Sequence, residues 1–567
     1  MKVPFSWLKQ YVDIDVTAQE LEDKLFGCGF EVEELIDLGG EISKVVVGVV
    51  TECVPQEGTH LHICKVDCGD YGHDIQISTG APNVYEGMHT PAALDGSTLP
   101  GGIKIKAKPL MGVESNGMLC SGEELGLNDD LYPGAEVYGL LDLPKDTVPG
   151  TPIQEVVGLD DYIFDISVTA NRADCQSVLG IAREVAAVLG KPLKMPATDY
   201  TVSDTTDDRL SIAVEAPDLC PRYIGHYVHN ITPGPSPRWM KRQLALCGLR
   251  SISNVVDITN YVMLEIGQPM HAFDMDTLES CQIIVRRAKD GEEITTLDEK
   301  NFKLTPNNLV ICDGSKPVAL AGVMGGMDSE IEDDTVDVMV ESACFNAGRT
   351  SHTSRDLSLI SDASIRFERQ VDETGCVDVA NVTCALIEEI AGGEVAPGYV
   401  DVFPAPKTID SIKLRLARVH AICGADIEPD FIERSLTRLG CTVERDGEDF
   451  MVTPPSFRPD LQAAFLPLLG GCACPQVTVD EVSLCALGAI AFDAAGSGTV
   501  QEANYQALKQ ILLQILRPKC PPPCPPCTPP KPQPCQIPCG CRNTGILASL
   551  DRCGMVQALS LTAGPLL

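Results

Sequence analysis

The sequence predicts an α+β multidomain protein: a small barrel inserted in an N-terminal α/β domain, a large α/β domain, a small helix-and-hairpin domain and a largely disordered tail. At 567 residues the chain is long enough for about three to five domains. Strand and helix patterns alternate along most of its length. Near residue 470 the charge changes abruptly, because residues 471–567 carry only 6 basic and 5 acidic side chains. The tail is therefore a different kind of sequence.

The chain as a whole is acidic, with 80 acidic against 43 basic residues and a net charge of −37. Its hydrophobic content of 44% is enough to bury several cores, which excludes wholesale disorder. The acidic balance repels polyphosphate at long range, so nonspecific coating of nucleic acid is not expected. Any RNA binding must use local basic patches or a partner subunit.

Targeting signals are not expected. The first residues lack a basic segment followed by an apolar run and a cleavage site. The longest uncharged stretch, residues 461–479, is interrupted by prolines and glycines and is unsuited to a membrane helix. The 15 cysteines of the first 470 residues are scattered, as in proteins with reduced thiols. We expect a cytoplasmic protein without a membrane span.

The N-terminal 200 residues combine a helical domain with an inserted barrel. Thr17 and Glu20 form an N-cap pair before apolar residues at helical spacing, and a second helix over residues 181–189 is closed by Gly190. Between them, short β patterns predict strands at 45–50, 61–67 and 74–78. We therefore assign residues 1–38 plus 150–200 to one domain and 39–149 to the barrel.

A linker near residues 199–208 leads into the largest domain, residues 210–400, with a helix at 238–246 and a strand and turn at 303–312. A small domain over residues 408–470 follows, and its predicted elements are a strand at 412–416, a helix at 430–439 and strands at 442–445 and 449–453.

The tail, residues 471–567, holds a Pro/Cys tract that begins at Cys520 and favours extended, unpacked chain. Residues 505–516 could form one short apolar helix before it. The abrupt loss of charge suggests a frameshifted or misjoined reading frame, which resequencing the gene across codons 455–475 would test.

Three groups of residues suggest chemistry. Lys104, Lys106 and Lys108 alternate, so in one strand they would share a face suited to a phosphate backbone or form a solvated basic edge. His271 follows a Gly-Gln-Pro turn, from which an imidazole can project into a cleft, although a lone histidine is usually structural. Glu341 lies within an apolar strand and needs a partner, which could be the substrate.

Ordered motifs along residues 1–462 are typical of one family. They are SWLKQYV (6–12), GAPNV (80–84), GVESNGMLCS (112–121), NRADC (171–175), NVVDITNY (254–261), GQPMHAFD (267–274), AGVMGG (321–326), SDASIRFER (361–369) and PSFRPD (455–460). In these motifs the chain resembles the beta subunit of bacterial phenylalanyl-tRNA synthetase. The family's later parts have no counterpart after residue 462.

The resemblance implies an OB-fold tRNA-binding domain over residues 39–149, a hydrolytic editing domain over 210–400 and an incomplete small beta-subunit domain over 408–470. It also implies an alpha subunit that holds the aminoacylation site, in a tetramer of two alpha and two beta chains that uses ATP and magnesium. The implied RNA partner is tRNA(Phe).

By the same resemblance, the editing pocket comprises Arg250, His271, Ala321, Gly325, Glu341, Ser361 and Ala363. His271 would contact the aminoacyl ester or the attacking water, and Arg250 the tRNA end. A buried acceptor at Glu341 would discriminate a para-hydroxyl from its absence. We expect Ser361 and Ala363 to share a strand face. Asp460 is the remaining family magnesium ligand, because Leu466, Leu469 and Gly470 stand at the positions of the others; a capping or surface role is an equal alternative.

The leading functional hypothesis is therefore a beta chain of phenylalanine–tRNA ligase that binds tRNA and edits Tyr-tRNA(Phe). The competing hypothesis is a non-enzymatic tRNA-binding or interaction fragment that cannot dock an alpha subunit.

Overall fold

A computed structural model describes residues 1–204, 210–278, 281–314 and 316–461, together with the backbone of residues 545–550 and 556–562. The chain divides into two compact units, which are Met1–Glu22 with Glu31–Val168 and Ala173–Lys407, and Asp23–Phe30 with Thr169–Arg172 and Thr408–Leu567. Within the described residues, none of the helices has the length and apolarity needed to span a bilayer.

The first elements confirm the predicted N-cap. They are β1 (Lys2–Pro4), α1 (Phe5–Tyr11), α2 (Ala18–Gly27) and β2 (Glu31–Asp37). The backbone N–H of Glu20 donates to the Thr17 hydroxyl, and the Glu20 carboxylate accepts from the Thr17 N–H at 2.9 Å. This reciprocal pair satisfies two backbone donors at the start of α2.

Residues 43–119 form a mainly antiparallel set of strands. They are β3 (Ser43–Pro55), β4 (His62–Asp67), β5 (Ile75–Thr79), β6 (His89–Leu99), β7 (Ile103–Lys104), β8 (Lys108–Leu110), β9 (Val113–Ser115) and β10 (Gly117–Leu119). Six of them make one sheet in the order β10-β6-β3-β4-β5, with β7 on β6, and β8 pairs with β9. Both faces of β3 are covered, because Val45 and Val47 lie in one apolar cluster and Val46 and Val50 in another.

The chain then returns to the N-terminal sheet through α3 (Ile153–Val157), β11 (Tyr162–Ser167) and α4 (Val178–Leu189). Strand β11 lies between β1 and β2 and pairs antiparallel with both. The Ser177 hydroxyl accepts from the Gly180 N–H at the start of α4, and Gly190 ends the helix with a φ of +67°. The predicted glycine stop is therefore correct.

The largest region contains twelve strands and five helices among the described residues. They are β12 (Ser211–Val214), β13 (Arg222–His229), α5 (Arg238–Leu246), α6 (Asn254–Ile266), β14 (Met270–Asp274), β15 (Gln282–Arg287), β16 (Glu293–Thr295), β17 (Asn301–Lys303), β18 (Leu309–Cys312), β19 (Pro317–Leu320), β20 (Met324–Gly325), β21 (Val338–Cys344), α7 (Ala347–Asp356), α8 (Asp362–Phe367), α9 (Cys376–Ala391), β22 (Glu394–Val395) and β23 (Val400–Val402).

Two five-stranded sheets of this region enclose one core. The first runs β12-β15-β18-β19-β20, and the second runs β14-β21-β13-β22 with β23 also on β13. The core takes Val285 and Ile311 from the first sheet and Tyr223, Phe273 and Met339 from the second. The opposite face of the second sheet packs on α9, where Ile224, Cys344, Cys376 and Ala380 form a smaller cluster. Side chains that point into the core from β21 are therefore enclosed between two sheets.

The second unit contains a small α+β fold. Its elements are β24 (Ile412–Leu414), α10 (Leu416–Cys423), α11 (Pro429–Arg438), β25 (Thr442–Asp446) and β26 (Asp449–Thr453), and its sheet order is β24-β26-β25. The predicted strand at 412–416 was too long, because α10 begins at Leu416 after Arg415 as N-cap. The other predicted elements are present within two residues of their expected bounds.

Most of the tail, including the predicted helix at 505–516 and the Pro/Cys tract, lies outside the described residues. The described part consists of β27 (Gly545–Leu550) and β28 (Val556–Thr562), which pair antiparallel. Within the largely disordered tail that the sequence predicts, these two segments thus form a strand pair. Their apolar residues alternate weakly, which gave no strand signal in the sequence.

Candidate functional site

The centre of β21 brings two predicted site residues together. Glu341 lies directly opposite Gly225 of β13 on one side and His271 of β14 on the other. Directly opposed residues of an antiparallel sheet project from the same face. The Glu341 and His271 side chains therefore share the face that looks into the core between the two sheets.

Glu341 has a partner within the chain. The Tyr223 hydroxyl donates to Glu341 Oε2 at 2.5 Å, and both side chains are buried. Burial raises the pKa of the Glu341 carboxyl to about 7, while the Tyr223 hydrogen bond acts in the opposite direction. The partner that the sequence required for this carboxylate is therefore supplied, at one oxygen, by a phenol of the neighbouring strand.

His271 lies within a strand, not on a projecting turn. It is the second residue of β14, and its ring packs edge-to-face on Phe273 with centroids 4.4 Å apart. Its Nε2 is buried and has no hydrogen-bond partner within the described part of the chain. Burial lowers the pKa of His271 to about 4, so the imidazole is neutral near pH 7. A neutral imidazole donates one hydrogen bond from its protonated nitrogen and accepts one at the other nitrogen.

Gly325, the last residue of β20, lies against this histidine. A Cβ added at Gly325 would lie 2.7 Å from His271 Cε1 and 3.1 Å from Nε2. At Gly326 a Cβ would lie 2.5 Å from the Val318 carbonyl oxygen. Glycine at 325 thus allows close contact with an imidazole, while Gly326 allows close contact with backbone. Ala321 is buried in the core between the two sheets.

Ser361 and Ala363 do not share a strand face. Ser361 is the N-cap of α8: its hydroxyl accepts from the Ser364 N–H at 3.0 Å, and the Ser364 hydroxyl accepts from the Ser361 N–H. The Ser361 hydroxyl also donates to the Val323 carbonyl at 2.6 Å, which fixes the start of α8 against the segment before β20. Ala363, in the first turn, packs on the core. The Ser-x-x-Ser spacing was the signal that the strand prediction missed.

Arg250 is exposed in the loop between α5 and α6. Within the described residues, no hydrogen bond or ion pair joins it to His271 or Glu341. The structure therefore brings together His271, Gly325 and Glu341. It places Ala321 and Ala363 in the apolar core of the same region, joins the Ser361 hydroxyl to the Val323 carbonyl, and leaves Arg250 on the surface.

The three lysines of the first sheet do not lie on one strand. Lys104 ends β7, and Lys108 begins β8, which pairs with β9 instead of β6. Pairing with β6 ends after Ile105, and the Ala107 N–H then donates to the Asp95 carboxylate at 2.7 Å, which turns the chain away from the sheet edge. All three lysine side chains are nevertheless exposed.

Asp460 is neither a surface residue nor an open metal ligand. Arg458 donates from Nε to Asp460 Oδ1 at 2.8 Å and from a terminal nitrogen to Oδ2 at 2.9 Å, and both side chains are buried. Asn171 also donates to Oδ2. A carboxylate held this way by a guanidinium does not fit the role of a magnesium ligand. The positions 466, 469 and 470 lie outside the described residues.

Among the described residues, Asp174, Cys175 and Glu184 do bring donor atoms within 4.8 Å of one another. Asp174, Cys175 and Glu184 each raise the pKa of the neighbouring Arg183 guanidinium, against the lowering by its burial, so this cluster already interacts with a positively charged side chain.

The residue that sequence reasoning missed is Tyr223. It is fully buried on β13 and lies 118 positions before Glu341. No local pattern joins the two residues, because their contact depends on the register of β13 with β21.

Comparisons with known proteins match three successive parts of the chain, in the same order as the regions described above. Three family models apply: a tRNA-binding domain over residues 36–152, the B3/4 domain over 219–392 and the tRNA synthetase B5 domain over 412–465. The phenylalanine–tRNA ligase beta subunit of Moorella thermoacetica is 45% identical over 463 residues, which are 81% of this chain and 57% of that protein. Up to about residue 465, the chain is similar to phenylalanine–tRNA ligase beta subunits in sequence and in the order of its matched domains.

Further beta subunits of this ligase show the same extent of similarity. Those of Syntrophus aciditrophicus and Clostridium acetobutylicum are each 42% identical, over 468 and 463 residues, and cover 81% of this chain. The chain spans 57% and 58% of their lengths. A crystal structure of an N-terminal fragment of the Pyrococcus horikoshii phenylalanyl-tRNA synthetase beta subunit has a TM-score of 0.36 at 11% identity, covering 87% of this chain and 99% of that fragment.

Proposed function

We propose that this chain acts as a beta chain of phenylalanine–tRNA ligase that binds tRNA(Phe) and hydrolyses Tyr-tRNA(Phe), while an alpha subunit catalyses aminoacylation in a tetramer of two alpha and two beta chains. The relatives carry the name of this ligase subunit, and the matched models include a tRNA-binding domain. ATP and magnesium belong to the alpha subunit's reaction in this proposal, because Asp460 is held by Arg458.

The observation that carries the proposal is the row formed by His271, Glu341 and Gly225 on one sheet face, with Gly325 against the imidazole. Glu341 would accept the para-hydroxyl of a tyrosyl group. A phenylalanyl group would leave that buried oxygen without a hydrogen bond, which disfavours its binding. The pair therefore supports selection of the tyrosyl ester.

Hydrolysis in this pocket would rely on a positioned water molecule. The neutral imidazole of His271 can accept a hydrogen bond from water or orient the ester beside it. Ala321 and Ala363 would keep the wall small, and Ser361 would hold the start of α8 at the pocket margin. Arg250 would contact the tRNA end from the surface.

The lysines at 104, 106 and 108 would contact phosphates as three separate exposed cations in an OB-fold tRNA-binding domain. They lie on two short strands and the turn between them, so they form an irregular basic edge and not a single flat face.

Deacylation assays on purified Tyr-tRNA(Phe) and Phe-tRNA(Phe) test this function. Wild-type chain should hydrolyse the tyrosyl ester and largely spare the phenylalanyl ester. Glu341→Ala should reduce that preference by roughly ten- to a hundredfold, which corresponds to about 1 to 3 kcal/mol. His271→Ala should slow both reactions. Equal, unchanged rates in both variants would contradict the assigned roles.

A tRNA-binding fragment without enzymatic activity is the second candidate, and it is favoured by the match to only 57% of the relatives' length. Copurification distinguishes the two: an alpha chain retained by the tagged protein supports the ligase subunit, and tRNA retained without it supports the fragment.

A further inference from the structure

Tyr223 and Glu341 form a pair in which one carboxylate oxygen is already used. The Tyr223 hydroxyl donates to Oε2 at 2.5 Å. Within the described residues, no hydrogen bond reaches Oε1. Both residues lie on the same sheet face as His271, and Tyr223 is fully buried among the core residues.

Resting on the proposed function, we propose that Tyr223 is a positioning residue for substrate selection: by occupying Oε2 it fixes the Glu341 carboxylate so that Oε1 alone faces the hydroxyl of the ligand's side chain. A carboxylate free to rotate offers either oxygen in several orientations. A carboxylate held by a buried phenol offers one, and a preoriented acceptor discriminates better between ligands.

The strand geometry explains why Tyr223 can do this and its neighbours cannot. Tyr223 lies opposite Ala343 in β13, two residues along β21 from the row that contains Glu341. Gly225, the residue directly opposite Glu341, has no side chain, so the phenol reaches the carboxylate diagonally across that gap. A Cβ at Gly225 would lie 2.5 Å from Ile212 Cδ1, so the gap is enclosed by the facing sheet.

The same pair makes selection depend on pH. The titratable groups that face Glu341 are Tyr223 on β13, His271 on β14 and Cys220 in the turn before β13. Burial raises the pKa of Glu341 to about 7, and the Tyr223 hydrogen bond lowers it. Glu341 therefore becomes an acceptor-only carboxylate as pH rises through 7, and loss of the Tyr223 hydroxyl shifts that transition to higher pH.

The test compares Tyr223→Phe with Tyr227→Phe. Tyr227 lies on the same strand and face, is also buried, and donates to the Asp337 carboxylate at 2.7 Å, so it controls for loss of a buried phenol–carboxylate bond elsewhere. The ratio of kcat/KM for Tyr-tRNA(Phe) over Phe-tRNA(Phe) is measured between pH 6 and pH 8.5, and circular dichroism checks that both variants fold.

Tyr223→Phe should reduce this ratio about tenfold at pH 7 and move its midpoint to higher pH, while Tyr227→Phe keeps the wild-type profile. A wild-type ratio and midpoint in Tyr223→Phe would overturn the inference and leave the proposed function intact. Equal losses in both variants would also overturn it, since they indicate general loosening of β13. Absence of hydrolysis by the wild-type chain would contradict the proposed function and this inference together.

Discussion

The strands of residues 43–119 and the two-sheet region of residues 210–402 present their candidate residues in opposite ways. In the first, Lys104, Lys106 and Lys108 are exposed on two short strands and the turn between them. In the second, Glu341 lies in a seven-residue strand whose residues are all buried. Exposed cations contribute to ligand binding through their charge, so their positions tolerate an irregular backbone. A buried carboxylate contributes to ligand binding through its exact position, which depends on every strand packed around it.

Replacing Gly325 should have the largest effect on hydrolysis, because any side chain at this position occupies space that the buried His271 ring already fills. In Gly325→Ala the new Cβ would overlap the His271 ring at 2.7 Å, so the imidazole must move. We expect hydrolysis of both esters to fall by roughly a hundredfold or more, the usual scale for a displaced acid–base group. Gly234→Ala is the matched control, because its Cβ meets nothing within 4 Å. Full activity in Gly325→Ala would show that the ring position does not matter.

The buried titratable groups should make stability depend on pH with two opposite signs. The His226 ring is buried with both nitrogens unpartnered among the described residues, and burial lowers its pKa from 6.5 to about 4. As pH falls, His226 therefore binds a proton in the unfolded state before it does so in the folded state. The free energy of unfolding should decrease by about 3 kcal/mol between pH 6.5 and pH 4 because of this histidine.

Glu341 should act in the other direction. Its pKa is raised from 4.5 to about 7, so its contribution to stability is complete below pH 4.5 and is lost as pH rises through 7. The unfolding free energy is measured by urea denaturation between pH 5 and pH 7.5. In His226→Phe it should depend less on pH at the acidic end of this range, and in Glu341→Gln it should depend less on pH near neutrality. Parallel curves for both variants and the wild type would contradict the burial argument.

The lysine edge should give the smallest structural effect. Changing Lys104, Lys106 and Lys108 to Ala should leave the unfolding free energy within about 0.5 kcal/mol of wild type, because all three are exposed. Affinity for tRNA should fall, and the slope of log affinity against log salt should decrease by roughly 0.7 to 0.9 for each phosphate that the variant no longer neutralises. Unchanged affinity and slope would identify the edge as merely solvated.

The same contrast decides how much could be predicted from sequence. Local signals were sufficient for the helix at Arg238–Leu246, for the Gly190 stop and for the Thr17 cap, because each depends on neighbours within one turn. Ser361 was misassigned to a strand face although its capping box with Ser364 is a local signal.

Long-range contacts could not be derived this way. The motif resemblance selected His271 and Glu341 as residues of one site, but their placement opposite each other needs the register of β14 with β21. The bond from Tyr223 to Glu341 and the pairing of Asp460 with Arg458 likewise depend on packing that no spacing in the sequence encodes.

The central claim is that Glu341 recognises a para-hydroxyl inside the two-sheet core. Calorimetric titration of the purified chain with non-hydrolysable, amide-linked tyrosyl- and phenylalanyl-adenosine measures this directly, without hydrolysis or an alpha subunit. The tyrosyl compound should bind about tenfold or more tightly than the phenylalanyl compound, and Glu341→Ala should remove the difference. Equal affinities in the wild-type chain would contradict the account.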